Sequence, residues 1–123
     1  RNYAIGDEDD DTATLWRSKM QANSIIQRNN ATPTQVKMRR LTTIVNECNI
    51  KPTFIILTIN GLELSVLQSA ADFLKESTGL RIITPGWYKD REGLYGPRII
   101  EFLRSLGFIV IHTKGMHIFA FKE

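Results

Sequence analysis

Apolar residues are spaced in two ways along this chain, and the alternation between them lays out its second half. Thr53-Phe54-Ile55-Ile56-Leu57-Thr58-Ile59 is a nearly continuous apolar run, the pattern of a strand buried on both faces of a parallel sheet. Asn60-Gly61 then leads into a helix from about Leu62 to Glu76, with Leu62, Val66, Ala70, Phe73 and Leu74 on its core face and Gly79 near its end. Asn60 followed by Glu63 fits an N-cap with its capping-box partner. Leu80 to Thr84 is a second apolar strand, and a polar loop reaches from Pro85 to Gly96. Pro97 suits the first position of a helix whose stripe is Ile99, Ile100, Leu103 and Leu106, and Gly107 is placed to end it. Phe108 to Ile111 and Met116 to Phe121 are two final strands, joined by a turn containing Lys114-Gly115. The predicted order is β-α-β-α-β-β. Right-handed crossovers make the first three strands parallel, and the hairpin makes the last antiparallel.

The N-terminal third is less regular. Tyr3 to Ile5 is a short apolar run ending at Gly6-Asp7, and Glu8-Asp9-Asp10-Asp11 is an acidic block suited to an exposed turn. Thr12 to Trp16 alternates polar and apolar residues as a half-buried strand does, which predicts a hairpin with an acidic tip. The block lacks the spacing and terminal glutamate of a calcium loop, so solvation is preferred to metal binding. Ser18 to Thr34 shows little periodicity and predicts a long connection. Val36 to Arg40 is a plausible strand, and Leu41, Ile44, Val45 and Cys48 fall on one helical face before Lys51-Pro52. The chain is expected to be one domain over 1–123, with a hairpin and variable strands in 1–40 and the regular β-α-β-α-β-β segment within 41–123.

Composition narrows the classes. With 123 residues, 42% hydrophobic and 24% charged, there is material for one core. No apolar stretch approaches the roughly 20 residues that cross a bilayer, and Arg1-Asn2-Tyr3 lacks the pattern of a secretory signal, so a cytoplasmic location and no membrane partner are expected. The lone Cys48 has no internal disulfide partner, and one cysteine with two histidines makes no tetrahedral metal set. The net charge of +3, from 16 basic and 13 acidic residues, does not by itself point to nucleic acid. The nearest basic patch is Lys37, Arg39 and Arg40, where strand alternation separates Lys37 and Arg39 from Met38 and Arg40, and a solvated strand is the simpler reading. No glycine-rich phosphate-binding turn occurs, so these residues alone are not expected to make a complete cofactor-dependent enzyme.

Several segments together resemble one family. These are Ala4-Ile5-Gly6-Asp7-Glu8, Val36 to Leu41 leading into a helix, and Phe54-Ile55 to Gly61-Leu62-Glu63 with Val66-Leu67 and Ala70. Gly86-Trp87-Tyr88 and the Ile99 to Gly107 helix before the closing hairpin complete the set. The chain thereby resembles the C-terminal half of the FkbM family of class I S-adenosylmethionine-dependent methyltransferases. The resemblance implies an α/β, partial Rossmann-like methyltransferase fold, a mixed sheet ending in an antiparallel hairpin. It also implies S-adenosylmethionine as cofactor and methyl transfer to a hydroxyl or similar nucleophile. The family's first strand and glycine-rich turn would lie upstream of Arg1. Tyr3 to Gly6 would be the family's third strand, which places Asp7 near the cofactor's adenine; a solvated turn acid is the competing reading of Asp7.

The resemblance departs at the fourth strand, where the family usually reads Lys-Ile-Asp-Val-Glu-Gly and this chain reads Ile56-Leu57-Thr58-Ile59-Asn60-Gly61. Thr and Asn hydrogen-bond but carry no charge and take up no proton. The catalytic residues are therefore left unassigned, and the candidate cleft is Thr58, Asn60, Trp87 and Tyr88. Trp87 and Tyr88 follow a parallel strand at its carboxyl end, where open α/β sheets bind ligands; capping the core at its rim is the equal alternative. His112 and His117 flank the hairpin turn and are read as surface or packing residues in preference to a catalytic pair. Because the family's fourth strand pairs with its first, the Thr53 to Ile59 strand is left with an open edge. A homo-oligomer or partner chain at that edge is one expectation, coverage by the N-terminal strands another, and a fragment of a longer protein a third. The competing function is a non-catalytic interaction or dimerisation module that keeps the half-sheet.

Overall fold

The computed structural model describes residues 3–17 and 32–123, which form an α/β arrangement with mixed sheets. Most of the long connection expected from Ser18 onward lies outside the described residues, and its last part, Thr32 to Thr34, is strand.

Three strands make a small first sheet: β1 (Ala4–Ile5), β2 (Asp10–Arg17) and β3 (Thr32–Arg39). Their order is β1-β3-β2, with β1 parallel and β2 antiparallel to β3. The expected hairpin between the first two strands is therefore corrected: each pairs with β3 instead. The acidic block explains why, because it is anchored and not merely solvated. Asp9 accepts hydrogen bonds from the Arg40 backbone N–H and the Thr43 hydroxyl, both at 2.9 Å. It thus caps α1 (Leu41–Cys48), whose own N-cap Arg40 has no side-chain cap. Asp11 pairs with Arg39, which also stacks over the Tyr3 ring at 5.2 Å. These contacts carry residues 7–11 across the end of β3 so that β1 and β2 emerge on opposite sides of it. The Gly6 N–H continues the β1 ladder to the Arg39 carbonyl at 3.0 Å. Buried Met38 packs directly on Gly6, where a Cβ would stand 2.1 Å from the Met38 Sδ.

After α1 the chain runs through β4 (Phe54–Ile56), α2 (Glu63–Ser69), α3 (Ala71–Glu76) and β5 (Arg81–Pro85). A small hairpin, β6 (Lys89–Asp90) and β7 (Gly93–Leu94), leads into α4 (Tyr95–Ser105), β8 (Ile109–His112) and β9 (His117–Phe121). The main sheet has the order β4-β5-β9-β8. β4 and β5 are parallel, and β9 runs antiparallel to both β5 and β8, so β4, β5 and β8 share one direction as expected. The last strand inserts between β5 and β8 and leaves β4 and β8 at the edges.

The single helix expected from Leu62 to Glu76 is two. It breaks at Ala70 (φ −106°, ψ 19°), whose N–H bonds to the Leu67 carbonyl three residues back while the Ser69 hydroxyl donates to the Val66 carbonyl. Pro97 is the third residue of α4, not its first, and still lies in the first turn where no N–H is required. Gly107 (φ 94°) ends α4 as expected, since a left-handed C-terminal residue suits glycine.

One face of the main sheet carries the core. Leu57, Ile82, Val110, Ile118 and Ala120 pack there with Val66, Leu67 and Leu74 of α2 and α3 and with Ile99 and Leu103 of α4. The other face is open. Two rows of register-matched residues cross it, Phe54-Arg81-Phe121-Ile109 and Ile56-Ile83-Phe119-Ile111. Phe54 is 48% exposed, Ile56 69%, Ile109 53% and Ile111 58%. The strand expected to be buried on both faces is thus buried on one, because no described element forms a second layer. No described strand pairs with the outer edge of β4, so the N-terminal strands do not cover it.

Candidate functional site

The chain leaves β4 through a turn in which two successive residues are left-handed, Asn60 (φ 56°) and Gly61 (φ 107°). Asparagine tolerates this conformation better than most residues, and a φ near 107° calls for glycine. The turn aims the backbone N–H groups of Ile59 and Gly61 inward, and the fully buried Glu63 carboxylate accepts both, at 3.1 and 2.9 Å. The expected capping box is corrected: Glu63 folds back onto the N–H groups of Ile59 and Gly61, and Asn60 is not the N-cap. That position is Leu62, and Asn60 lies before it with a left-handed backbone.

Asn60 instead meets the loop after β5. The Tyr88 hydroxyl donates to Asn60 Oδ1 at 3.1 Å. Trp87 lies beside Tyr88, with ring centroids 6.1 Å apart, and makes an edge contact with His117 at 5.0 Å. Three of the four cleft residues read from the sequence therefore gather at the carboxyl ends of β4 and β5. Thr58 lies exposed two residues before Asn60. Asp7 is exposed beyond β1 on the first sheet and is not part of this cluster. His117 joins it, while His112 does not. His117 is opposite Pro85 on the open face, and His112 is opposite Ile118, whose side is the helix-covered one. His112 lines a surface depression of about 380 Å³ with Pro97, Ile100, Glu101, Arg104 and Met116.

The loop bearing Trp87 and Tyr88 is held by backbone. Gly86 N–H donates to the Met116 carbonyl at 2.7 Å, Gly96 N–H to the Gly86 carbonyl at 2.9 Å, and Tyr95 N–H to the Tyr88 carbonyl at 2.8 Å. A Cβ on Gly86 would stand 2.6 Å from the Gly96 Cα, so two glycines let the loop lie against the start of α4. Farther along, Arg98 grips the β6–β7 hairpin. It reaches both Asp90 oxygens (2.8 and 3.2 Å), Glu92 at 3.3 Å and the Gly93 carbonyl at 3.2 Å, and sits over the Tyr95 ring at 4.8 Å. The Arg98 hydrogen bonds hold the Asp90 carboxyl below its ordinary range, and Asp90 in turn raises the guanidinium. Sequence reasoning missed this clamp, although opposite charges flanking Gly93 were a visible signal of it.

The cluster is an amide, a phenol, an indole and an imidazole, a set suited to recognition by hydrogen bonding and stacking. The Glu63 carboxylate behind the turn is occupied by the two backbone donors. For a nucleoside-containing cofactor such as S-adenosylmethionine, the half-exposed Trp87 ring offers a stacking surface. Asp7, the acid expected near the adenine, is not brought to it. The described residues therefore do not assemble a cradle for that cofactor. Among the described residues no group of three or more His, Cys, Asp or Glu side chains could hold a metal ion, and no helix is long and apolar enough to cross a membrane.

Comparison with family models, with curated protein sequences and with solved structures finds no match to this chain.

Proposed function

We propose that the chain is the C-terminal portion of an S-adenosylmethionine-dependent methyltransferase-like domain of the FkbM kind. Its site lies at the carboxyl ends of β4 and β5, and by itself it is inactive. The observation that carries this reading is the pairing of Tyr88 with Asn60 beside exposed Trp87, at the ends of parallel strands in a sheet closed by an antiparallel hairpin. The partial Rossmann-like assignment belongs to the same reading, as does a cytoplasmic setting. A partner strand at the open edge of β4, from a second chain or from another segment, would complete the sheet beside Asn60. Calorimetric titration of the chain with S-adenosylhomocysteine tests the reading. Micromolar binding, about 8 kcal/mol, that disappears in Trp87→Ala supports it. Absence of heat, together with full folding by circular dichroism, removes cofactor binding from this chain.

A second reading is a non-catalytic interaction module, and the open edge of β4 favours it. Arg81 N–H donates to the Thr53 carbonyl and Leu57 N–H to the Ile83 carbonyl, so residues 53 and 57 face β5. By strand alternation the backbone groups of Phe54 and Ile56 point outward, as a template for another strand. Binding of an extended peptide without any response to S-adenosylhomocysteine separates this reading from the first.

A further inference from the structure

The open face of the main sheet is a second feature, independent of both readings, and it differs in kind from an open edge. Ile56, Ile83, Phe119 and Ile111 form an uninterrupted apolar row across all four strands, and Phe54 and Ile109 extend it toward one end. Arg81 lies in that outer row, at the start of β5, so a partner centred on the inner row leaves its charge at the rim. Trp87, 45% exposed, extends the apolar surface at the other end, where its ring meets His117.

We infer that this face packs against the same face of a second copy of the chain. The area fits a second copy. From their fractional exposures, the large apolar side chains of the face present on the order of 500–600 Å² per chain. That is the upper part of the roughly 300–600 Å² spanned by the largest apolar patch of a monomer, a size that often marks a functional surface. Two such faces together bury about 1,000–1,200 Å², at the lower limit of a specific interface. A self-complementary contact needs no matching surface elsewhere, because the same patch supplies both sides of a twofold interface. The inner row is apolar from end to end, so stacking two sheets about 10 Å apart buries no unpaired charge at the centre. The contact is face to face. It therefore leaves the β4 edge untouched.

The test is sedimentation equilibrium of the full 123-residue chain at about 10–100 µM, a range matched to the modest affinity expected of so small an interface. The expected result is twice the 14.1 kDa of one chain. The double variant Ile109→Lys/Ile111→Lys lies on β8, at the opposite edge from β4. It is expected to be monomeric while keeping the circular dichroism spectrum of the parent, since both positions are more than half exposed. Leu94→Lys, an exposed apolar position on β7 outside the face, is expected to leave the dimer intact. A parent chain that is monomeric at 100 µM overturns the inference. So does growth into open-ended aggregates, or a dimer that ignores the double lysine variant, which would place the contact at the β4 edge or with another occupant.

Discussion

Removing the Glu63 carboxylate should unfold more of the protein's stability than any other single polar change in the described residues. Glu63 is fully buried and accepts the N–H groups of Ile59 and Gly61 at 3.1 and 2.9 Å. In Glu63→Ala both donors lose their acceptor in a place where the left-handed turn keeps them pointed inward. Each such loss costs about 1–3 kcal/mol, which gives about 2–6 kcal/mol in total. For a domain whose whole stability is about 5–15 kcal/mol, that is a large fraction. Glu63→Gln retains one carbonyl oxygen but turns an NH₂ toward the second donor, so about half the loss is expected. Urea unfolding of the three proteins, followed by circular dichroism and fitted for the midpoint and slope, measures the differences. The reasoning fails if Glu63→Ala lies within 0.5 kcal/mol of the parent, or if Glu63→Gln is as damaging as the alanine variant.

Three further outcomes are expected. Gly86→Ala should cost about 1–3 kcal/mol, because its Cβ meets the Gly96 backbone and cannot be relieved by a rotamer change, whereas Gly115→Ala, with only ordinary contacts of 3.5 Å and beyond, should be nearly neutral in the same urea assay. Tyr88→Phe should lose about 0.5–1.5 kcal/mol with its hydrogen bond to Asn60, and no change would mean the contact is not kept in solution. In acid, Asp9 is held low by the Arg40 backbone N–H, Asp11 by the Arg39 hydrogen bond and Asp90 by that of Arg98. Folded values below the unfolded 3.8 mean that this stability is present above pH 3.8 and is lost as pH falls through the folded values. The urea midpoint should therefore fall on acidification below about pH 4, less steeply in the Asp9→Asn/Asp11→Asn/Asp90→Asn variant, and an equally steep fall would refute the assignment.

The parts of the fold that were legible from sequence are those where one chain segment states its own geometry. The stripe of Ile99, Ile100 and Leu103 with Gly107 behind it specifies α4 and its end, and the β8–β9 hairpin follows from two apolar runs around Lys114-Gly115. What escaped depends on pairs distant in sequence. β3 takes strands on both sides because Asp9 and Asp11 bind groups some thirty residues away, at Arg40, Thr43 and Arg39. Likewise Asn60 looks like a cap until Tyr88, twenty-eight residues later, claims its side chain. That Asn60, Trp87 and Tyr88 come near one another follows from their places at strand ends in an open sheet, while His117 joins them only through the register of β9 against β5.

The open face turns one of these misreadings into a physical statement. The continuous apolar run at residues 53–59 is what predicts burial on both sides of β4, and Ile109-Val110-Ile111 on β8 is likewise apolar without a break. In each case the structure buries one set of alternate residues and exposes the other, with Val110 at 7% and its neighbours above 50%. A strand that faced water in its working state would be expected to alternate polar and apolar residues, since exposed isoleucines stabilise nothing in the monomer and invite association. Arg81 is the only charged residue in the two rows, and it stands in the outer one, between Phe54 and Phe121. The sequence is thus written for a second layer over this face. In the sedimentation experiment that layer is a second chain, and loss of association in Ile109→Lys/Ile111→Lys with the fold intact is what ties the apolar pattern to it.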